Sequence, residues 1–372
     1  MKNNATALRE KSHAIVLSMK NKVVTLSAGR TAQSKNQHFL SITAAILFAT
    51  LLITPILMAQ SAAHPGARSV MDAHNCYPYY EWWSDRIDRA LSAGTPLAIE
   101  QDLAWYTDKK TGKSWSIVTH SAEGSGHEPT MKQYFFERVR PIVEQALRDG
   151  NHGNWPLITL NLDFKTEEPD HLRAVLALLN EYRDWLTTAP RTASDAAQAL
   201  DVKPILVLTG ESDAQQKVFY DDVPVGSKLL VFGAVHTNEK YPMAAPDVLE
   251  PSRASNYRRW WNNPWAVVEA GGQNKAGDWT KEDNLRLRSL VEHAHQNDLW
   301  IRFYTLDGVD NKQDLSCHGW FSGYNFGSLT AAEARWRAAL AAGVDYIASD
   351  QYEALGQFVK ENQSVVKASG TR

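Results

Sequence analysis

The sequence predicts an α/β protein, a single (β/α)8 barrel of the TIM type behind an N-terminal segment. Two patterns carry that expectation. Eight strand-like runs alternate with segments of helical period between residues 69 and 350, and no glycine-rich phosphate loop follows the first strand, which disfavours a doubly wound open sheet. Size agrees: of 372 residues, 44% hydrophobic, about 300 remain for one core after the N-terminal segment is set aside.

That segment reads differently from the rest. Residues 1 to 38 carry Lys2, Lys11, Lys20, Lys22, Arg30 and Lys35 against a single acid, Glu10, and "FLSITAAILFATLLITPILM" then runs apolar from Phe39 to Met58. Small residues follow in "AQSAAHPG", so residues 1–63 are expected to be a signal peptide, or else a membrane anchor, and residues 64–372 the exported barrel domain.

The expected strands are "SVMDAH" (69 to 74), "LAIEQDL" (97 to 103), "LITLNLDFK" (157 to 165), "PILVLTG" (204 to 210), "LLVFGAV" (229 to 235), "WAVVEAG" (265 to 271), "LWIRFYTL" (299 to 306) and "VDYIASD" (344 to 350). Between them, "YEWWSDRIDRALSA", "MKQYFFERVRPIVEQALRD", "PDHLRAVLALLNEYRDWL", "KEDNLRLRSLVEHAHQ" and "TAAEARWRAALAAG" have helical period. Thr280 ahead of Asp283 and Thr330 ahead of Glu333 read as capping pairs, and Gly94 and Gly343 follow helix ends.

Alternation along a strand then selects the inward side chains. In the third strand Leu162 and Phe164 face the helices, while Asn161, Asp163 and Lys165 point into the barrel; in the second, Glu100 and Asp102 do the same. His74 and Asn75 end the first strand, and "SWSIVTHSAEG" brings His120 into the loop after the second. Three carboxylates together repel one another unless a divalent cation neutralises them, and oxygen ligands without cysteine favour Mg²⁺, with Ca²⁺ as the alternative. A cation and a lysine suit the oxygens of a phosphate, and two histidines suit proton transfer on either side of it.

This set, His74, Glu100-x-Asp102, His120 and the "DFKT" of residues 163 to 166, resembles the metal and acid/base signature of the phospholipase C-like phosphodiesterase superfamily. That superfamily includes the glycerophosphodiester phosphodiesterases and the sphingomyelinase D type phospholipases. The resemblance implies a (β/α)8 barrel in which Glu100, Asp102 and Asp163 hold Mg²⁺, His74 and His120 are the acid/base pair, and Lys165 binds phosphate, with Asn75 beside it. It covers residues 72 to 166. Glycerophosphodiesterases carry His-Arg-Gly where this chain has "HNC", a Glu in place of Asp163, and an Asp in place of Ser121; the Asp-x-Lys-Thr and His-Asn details resemble the sphingomyelinase D side. The cysteine-bearing catalytic loop of those toxins has no counterpart in "THSAEGSGH".

The expected substrate is a small-molecule or lipid phosphodiester, with peripheral membrane contact through Trp82, Trp83, Trp105 and Trp320 near the mouth. A formal net charge of −3, with acids and bases interspersed, provides no stripe for nucleic acid. Two other functions compete: a glycosidase using Glu211 and Glu269, and a silent exported binding barrel. The two cysteines, Cys76 and Cys317, are both expected at the mouth, which predicts a bridge between them.

Overall fold

The computed structural model describes residues 63–78, 84–150, 155–311 and 320–369; the N-terminal segment, Trp82, Trp83 and Cys317 lie outside the described residues. Its strands are β1 (Val70–Ala73), β2 (Leu97–Thr107), β3 (Ser114–Val118), β4 (Ile158–Phe164), β5 (Ala189–Pro190), β6 (Ile205–Thr209), β7 (Lys228–Leu229), β8 (Phe232–Ala234), β9 (Arg258–Pro264), β10 (Trp300–Tyr304) and β11 (Tyr346–Ser349). Eight of them pair in parallel in the order β1-β2-β4-β6-β8-β9-β10-β11, and β11 returns to β1, closing the barrel. An antiparallel arm, β3, extends β2 beyond the barrel rim, while β5 and β7 form a separate two-stranded ribbon.

Helices cover the outside, which is why the barrel strands are buried on both faces. They are α1 (Arg86–Ser92), α2 (Glu137–Asp149), α3 (Pro169–Glu181), α4 (Asp213–Gln216), α5 (Pro246–Leu249), α6 (Lys281–Gln296), α7 (Leu329–Ala342) and α8 (Tyr352–Ser369). On β4, outward Phe164 packs against His171 of α3 and Phe219, at ring separations of 5.2 and 5.9 Å. Inward Thr159 meets the Tyr346 hydroxyl across the interior, 3.5 Å away, although β4 and β11 do not pair. Trp260 joins Tyr346 edge to face, so the lower barrel is filled by bulky side chains.

Three expectations need correction. The sixth barrel strand is β9, residues 258–264, and not 265–271: Trp265–Val267 form a 3-10 turn instead. The apolar "WAVVEAG" had the strand composition, but "RRWWNNP" has both Trp260 and Trp261 fully buried, one on each face of the sheet. In the fifth, only 232–234 join the barrel, because Leu229 belongs to the ribbon with β5. Helix α7 is capped by Ser328, whose hydroxyl accepts from the Ala331 N–H, and not by Thr330. Cys76 is fully buried, and burial pushes its thiol pKa up; the expected bridge to Cys317 falls outside the described residues.

Other signals hold. Thr280 and Asp283 form a reciprocal capping box at the start of α6, and Gly343, at φ 83°, ends α7 in the left-handed conformation. Thr280→Ala is expected to lower the unfolding free energy by about 1 kcal/mol in urea denaturation with an unchanged m-value, since it strips an acceptor from an orphan helix N–H. A change indistinguishable from zero would show that the box contributes nothing.

Candidate active site

At the C-terminal ends of the strands lies a cavity of about 530 Å³, lined by His74, Asn75, Glu100, His120, Asp163 and Lys165, together with side chains of β9 and β10. Parallel register explains the carboxylates. Across the β2–β4 pair Glu100 lies opposite Asn161 and Asp102 opposite Asp163, so the same alternation that sends Ile99 and Leu162 outward sends all four inward as neighbours. Glu100, Asp102 and Asp163 each offer an oxygen within 4.8 Å of the others.

Their oxygens are unequally occupied. Glu100 Oε2 accepts from Arg302 Nη2 and, at 3.2 Å, from Asn161 Nδ2, while Oε1 stands 3.8 Å from His74 Nε2. Lys165 Nζ donates to Asp163 Oδ2 at 2.8 Å and lies 3.8 Å from Asp102 Oδ2. Asp102 is fully buried, and neither of its oxygens has a hydrogen-bond partner among the described residues. Burial pushes Asp102 well above the usual carboxylate range and Glu100 beside it adds to this, against the pull of Lys165. Burial also acts to raise Glu100, but His74, Arg302 and Lys165 outweigh it and hold that carboxyl down at about 2. Burial would lower Lys165; Asp102 and Asp163 reverse that and hold the ammonium above its ordinary value. Two orphaned oxygens on a buried carboxylate, flanked by two further carboxylates, fit a hard divalent cation, whose charge is what this cluster lacks.

The histidines approach from different elements. His74 leaves β1 just before Asn75, whose φ of 52° turns the chain away, and its carbonyl accepts from the Tyr352 hydroxyl at 2.6 Å. Its Nδ1 hydrogen-bonds Asp350 Oδ1 at 2.9 Å, Asn75 Nδ2 donates to both Asp350 oxygens at 3.3 Å, and Tyr324 meets the ring edge-on at 5.4 Å. That leaves Nε2 on the side of Glu100. Burial alone would lower the His74 pKa, but Glu100 and Asp350 overturn it and bring the imidazole to about 9. His120 stands more open just beyond β3, its ring 5.6 Å from that of Tyr77. Partial burial and then Lys165 draw its pKa down.

Every residue expected at the site converges there: six line the cavity, and Asp102 lies within the same carboxylate cluster. Sequence reasoning left out Asp350, Arg302, Asn262, Tyr304 and Tyr324. Arg302 and Asp350 sit at alternating positions of runs already read as strands, but strand register alone did not reveal their long-range partners His74, Asp72 and Glu100. Aromatic lining comes from Tyr77, Tyr304, Tyr324 and the 60% exposed Phe321; Trp105 instead stacks on His171 at 5.4 Å. The glycosidase pair fails. Glu269 is buried in a two-pronged ion pair with Arg335 at 2.7 and 2.8 Å, Glu211 accepts from the Thr237 N–H, and neither lines the cavity.

No protein-family model matches the chain, and no curated protein matches it. Among solved structures it is similar to a glycerophosphoryl diester phosphodiesterase from Parabacteroides distasonis (12% identity, 81% of this chain and 88% of that one, TM-score 0.38). It is also similar to a calcium-dependent phosphoinositol-specific phospholipase C from a Pseudomonas species (14% identity, 80% and 93%, TM-score 0.42). A dihydropteroate synthase from Burkholderia cenocepacia matches at the same level (13% identity, 82% and 94%, TM-score 0.37). Likeness this distant, shared by enzymes of unlike chemistry, leaves the function to be argued from the site.

The placement of His74 between Glu100 and Asp350 has a measurable consequence in metal-free protein. A histidine raised to about 9 in the folded chain, against an ordinary value of 6.5, stabilises fully below pH 6.5, and that contribution is lost as the pH rises through 9. Denaturant unfolding in EDTA is therefore expected to show stability falling by on the order of 3 kcal/mol across this window, with a shallower fall in Asp350→Asn. Parallel pH profiles for the two proteins would contradict the coupling.

Proposed function

We propose that the protein is a phosphodiesterase that cleaves a P–O bond of a phosphodiester with the help of a divalent cation, Mg²⁺ or Ca²⁺. The observation that carries this reading is the buried Asp102, without a hydrogen-bond partner for either oxygen, set between Glu100 and Asp163 in a cavity that also holds Lys165 and two histidines. A cation bound by Glu100, Asp102 and Asp163 would supply Lewis-acid polarisation of a phosphoryl oxygen.

The chain's own groups do the rest. Lys165, fixed against Asp163, presents positive charge to a second phosphoryl oxygen. His74 moves a proton at Nε2, because Asp350 occupies Nδ1 and sets the ring's orientation. His120, held against Tyr77, serves as the complementary proton carrier from the β3 side. One removes the proton from the attacking oxygen and the other supplies one to the departing oxygen. Asn75 steadies Asp350 and lines the pocket beside His74.

The substrate proposed is a glycerol- or lipid-type diester. Phe321, Tyr304 and Tyr324 provide an aromatic wall next to the polar floor, suited to a substrate with an apolar part, and exposed Phe321 is the side chain for peripheral membrane contact. The basic and apolar pattern of residues 1–63 supports export, with residues 64–372 as the catalytic domain.

Glycerophosphodiesters, lysophospholipids, sphingomyelin and inositol lipids, each incubated with Mg²⁺, Ca²⁺ or EDTA and followed by phosphorus NMR, test the proposal. The expected result is a phosphomonoester or cyclic phosphate from at least one diester, abolished by EDTA. On that substrate His74→Ala and His120→Ala should each lower kcat by roughly 10²- to 10⁴-fold, and Glu100→Gln, Asp102→Asn and Asp163→Asn should each abolish the metal-dependent turnover. Turnover of no diester with either ion, or wild-type rates in Glu100→Gln and Asp102→Asn, would overturn the assignment.

A further inference from the structure

Beneath the three carboxylates lies a second charged group that the proposed chemistry does not itself use. Arg302, 2% exposed on β10, reaches across the barrel interior and is gripped at all three nitrogens. Its Nε donates to Asp72 Oδ2 on β1, Nη2 to Glu100 Oε2 on β2, and Nη1 to Asn262 Oδ1 on β9 at 3.1 Å. Asp72 is itself 1% exposed and its Oδ1 has no hydrogen-bond partner among the described residues, so Arg302 is the cation that this buried carboxylate faces. Four strands are therefore joined through one guanidinium, directly under the cavity.

A guanidinium beside a divalent-cation site is electrostatically unfavourable for the cation, since like charges repel. Geometry gives the compensating reason. Glu100 Oε2 is saturated by Arg302 and Asn161, which leaves Oε1 alone to face the cavity, 3.8 Å from His74 Nε2. Without that grip a glutamate, with its rotatable stem, has several ways to present one or both oxygens.

We propose that Arg302 is a positioning residue: held by Asp72, it locks Glu100 so that a single oxygen, Oε1, is offered to the cation and to the His74 side of the site. This deepens the phosphodiesterase reading and rests on its metal site. The planar fork matters here, because a lysine would carry the same charge without linking Asp72, Glu100 and Asn262 at fixed angles.

Calorimetric titration of Mg²⁺ and of Ca²⁺ into the full chain tests the inference, alongside Arg302→Lys, Arg302→Met and Asp72→Asn, each checked for fold by circular dichroism. Arg302→Lys, which keeps the charge and loses the fork, is expected to weaken cation binding about tenfold or more, and Asp72→Asn to weaken it in the same direction. Wild-type affinity in whichever of these two variants remains folded overturns the inference. Tighter binding in Arg302→Met, the sign of a mere repelling counter-charge, overturns it as well. A wild-type chain that binds neither cation removes this inference together with the metal site beneath it, so the wild-type titration alone separates the two failures.

Discussion

Like charge gathered in the barrel interior is the constraint around which the rest of this structure is arranged. Glu100, Asp102 and Asp163 approach within 4.8 Å of one another, with Asp72 one layer below and Asp350 beside them at the end of β11. Desolvating even one carboxylate costs several kcal/mol unless it is compensated. Each neighbour in the layer is placed to do that: Arg302 between Asp72 and Glu100, Lys165 between Asp102 and Asp163, His74 between Glu100 and Asp350. Compensation is incomplete at Asp102 alone among the three clustered carboxylates, and that incompleteness is what the proposed cation would relieve.

The closed barrel makes such an arrangement affordable by surrounding it with apolar packing. Below the charged layer, Trp260, Tyr346 and Thr159 fill the interior; outside, Leu160, Leu162 and Phe164 seal β4 against the helices. Support also comes from above. Asp307, just past β10, accepts from the Ser349 hydroxyl at 2.7 Å and the Asp350 N–H at 2.9 Å, which fixes the carboxylate that orients His74. The adjoining turn is tight enough that a Cβ on Gly308 would lie 2.1 Å from the Ser328 carbonyl oxygen, so this turn and the start of α7 are built for a glycine. Helix capping at Ser328 and the orientation of the His74 ring are thus only a few contacts apart.

How much of this was legible in the sequence depends on the range of the interaction involved. Period-two alternation was enough to place Glu100, Asp102, Asp163 and Lys165 on one face, because adjacent strands in register bring alternate side chains together without further information. His74 and His120 followed from their positions just past strand-like runs. Arg302 and Asp350 did not, since what makes them important is contact with Asp72, Glu100 and His74, more than 200 residues away along the chain. The strand at 258–264 was missed for a different reason: its arginines, asparagines and terminal proline look like a loop, and its two adjacent tryptophans are explained only once both faces of the sheet are seen to be covered. Apolar composition drew the strand to 265–271, where Glu269 instead pairs with Arg335 and accepts from the Trp265 indole N–H.

The central claim is that the clustered carboxylates form a metal site at the floor of the cavity. Crystals soaked in Mn²⁺, a stand-in for Mg²⁺ that scatters anomalously, test it most directly. The account predicts an anomalous peak in contact with Glu100, Asp102 and Asp163, and its loss in Asp102→Asn. A map with manganese bound elsewhere and no peak among these three carboxylates would contradict it.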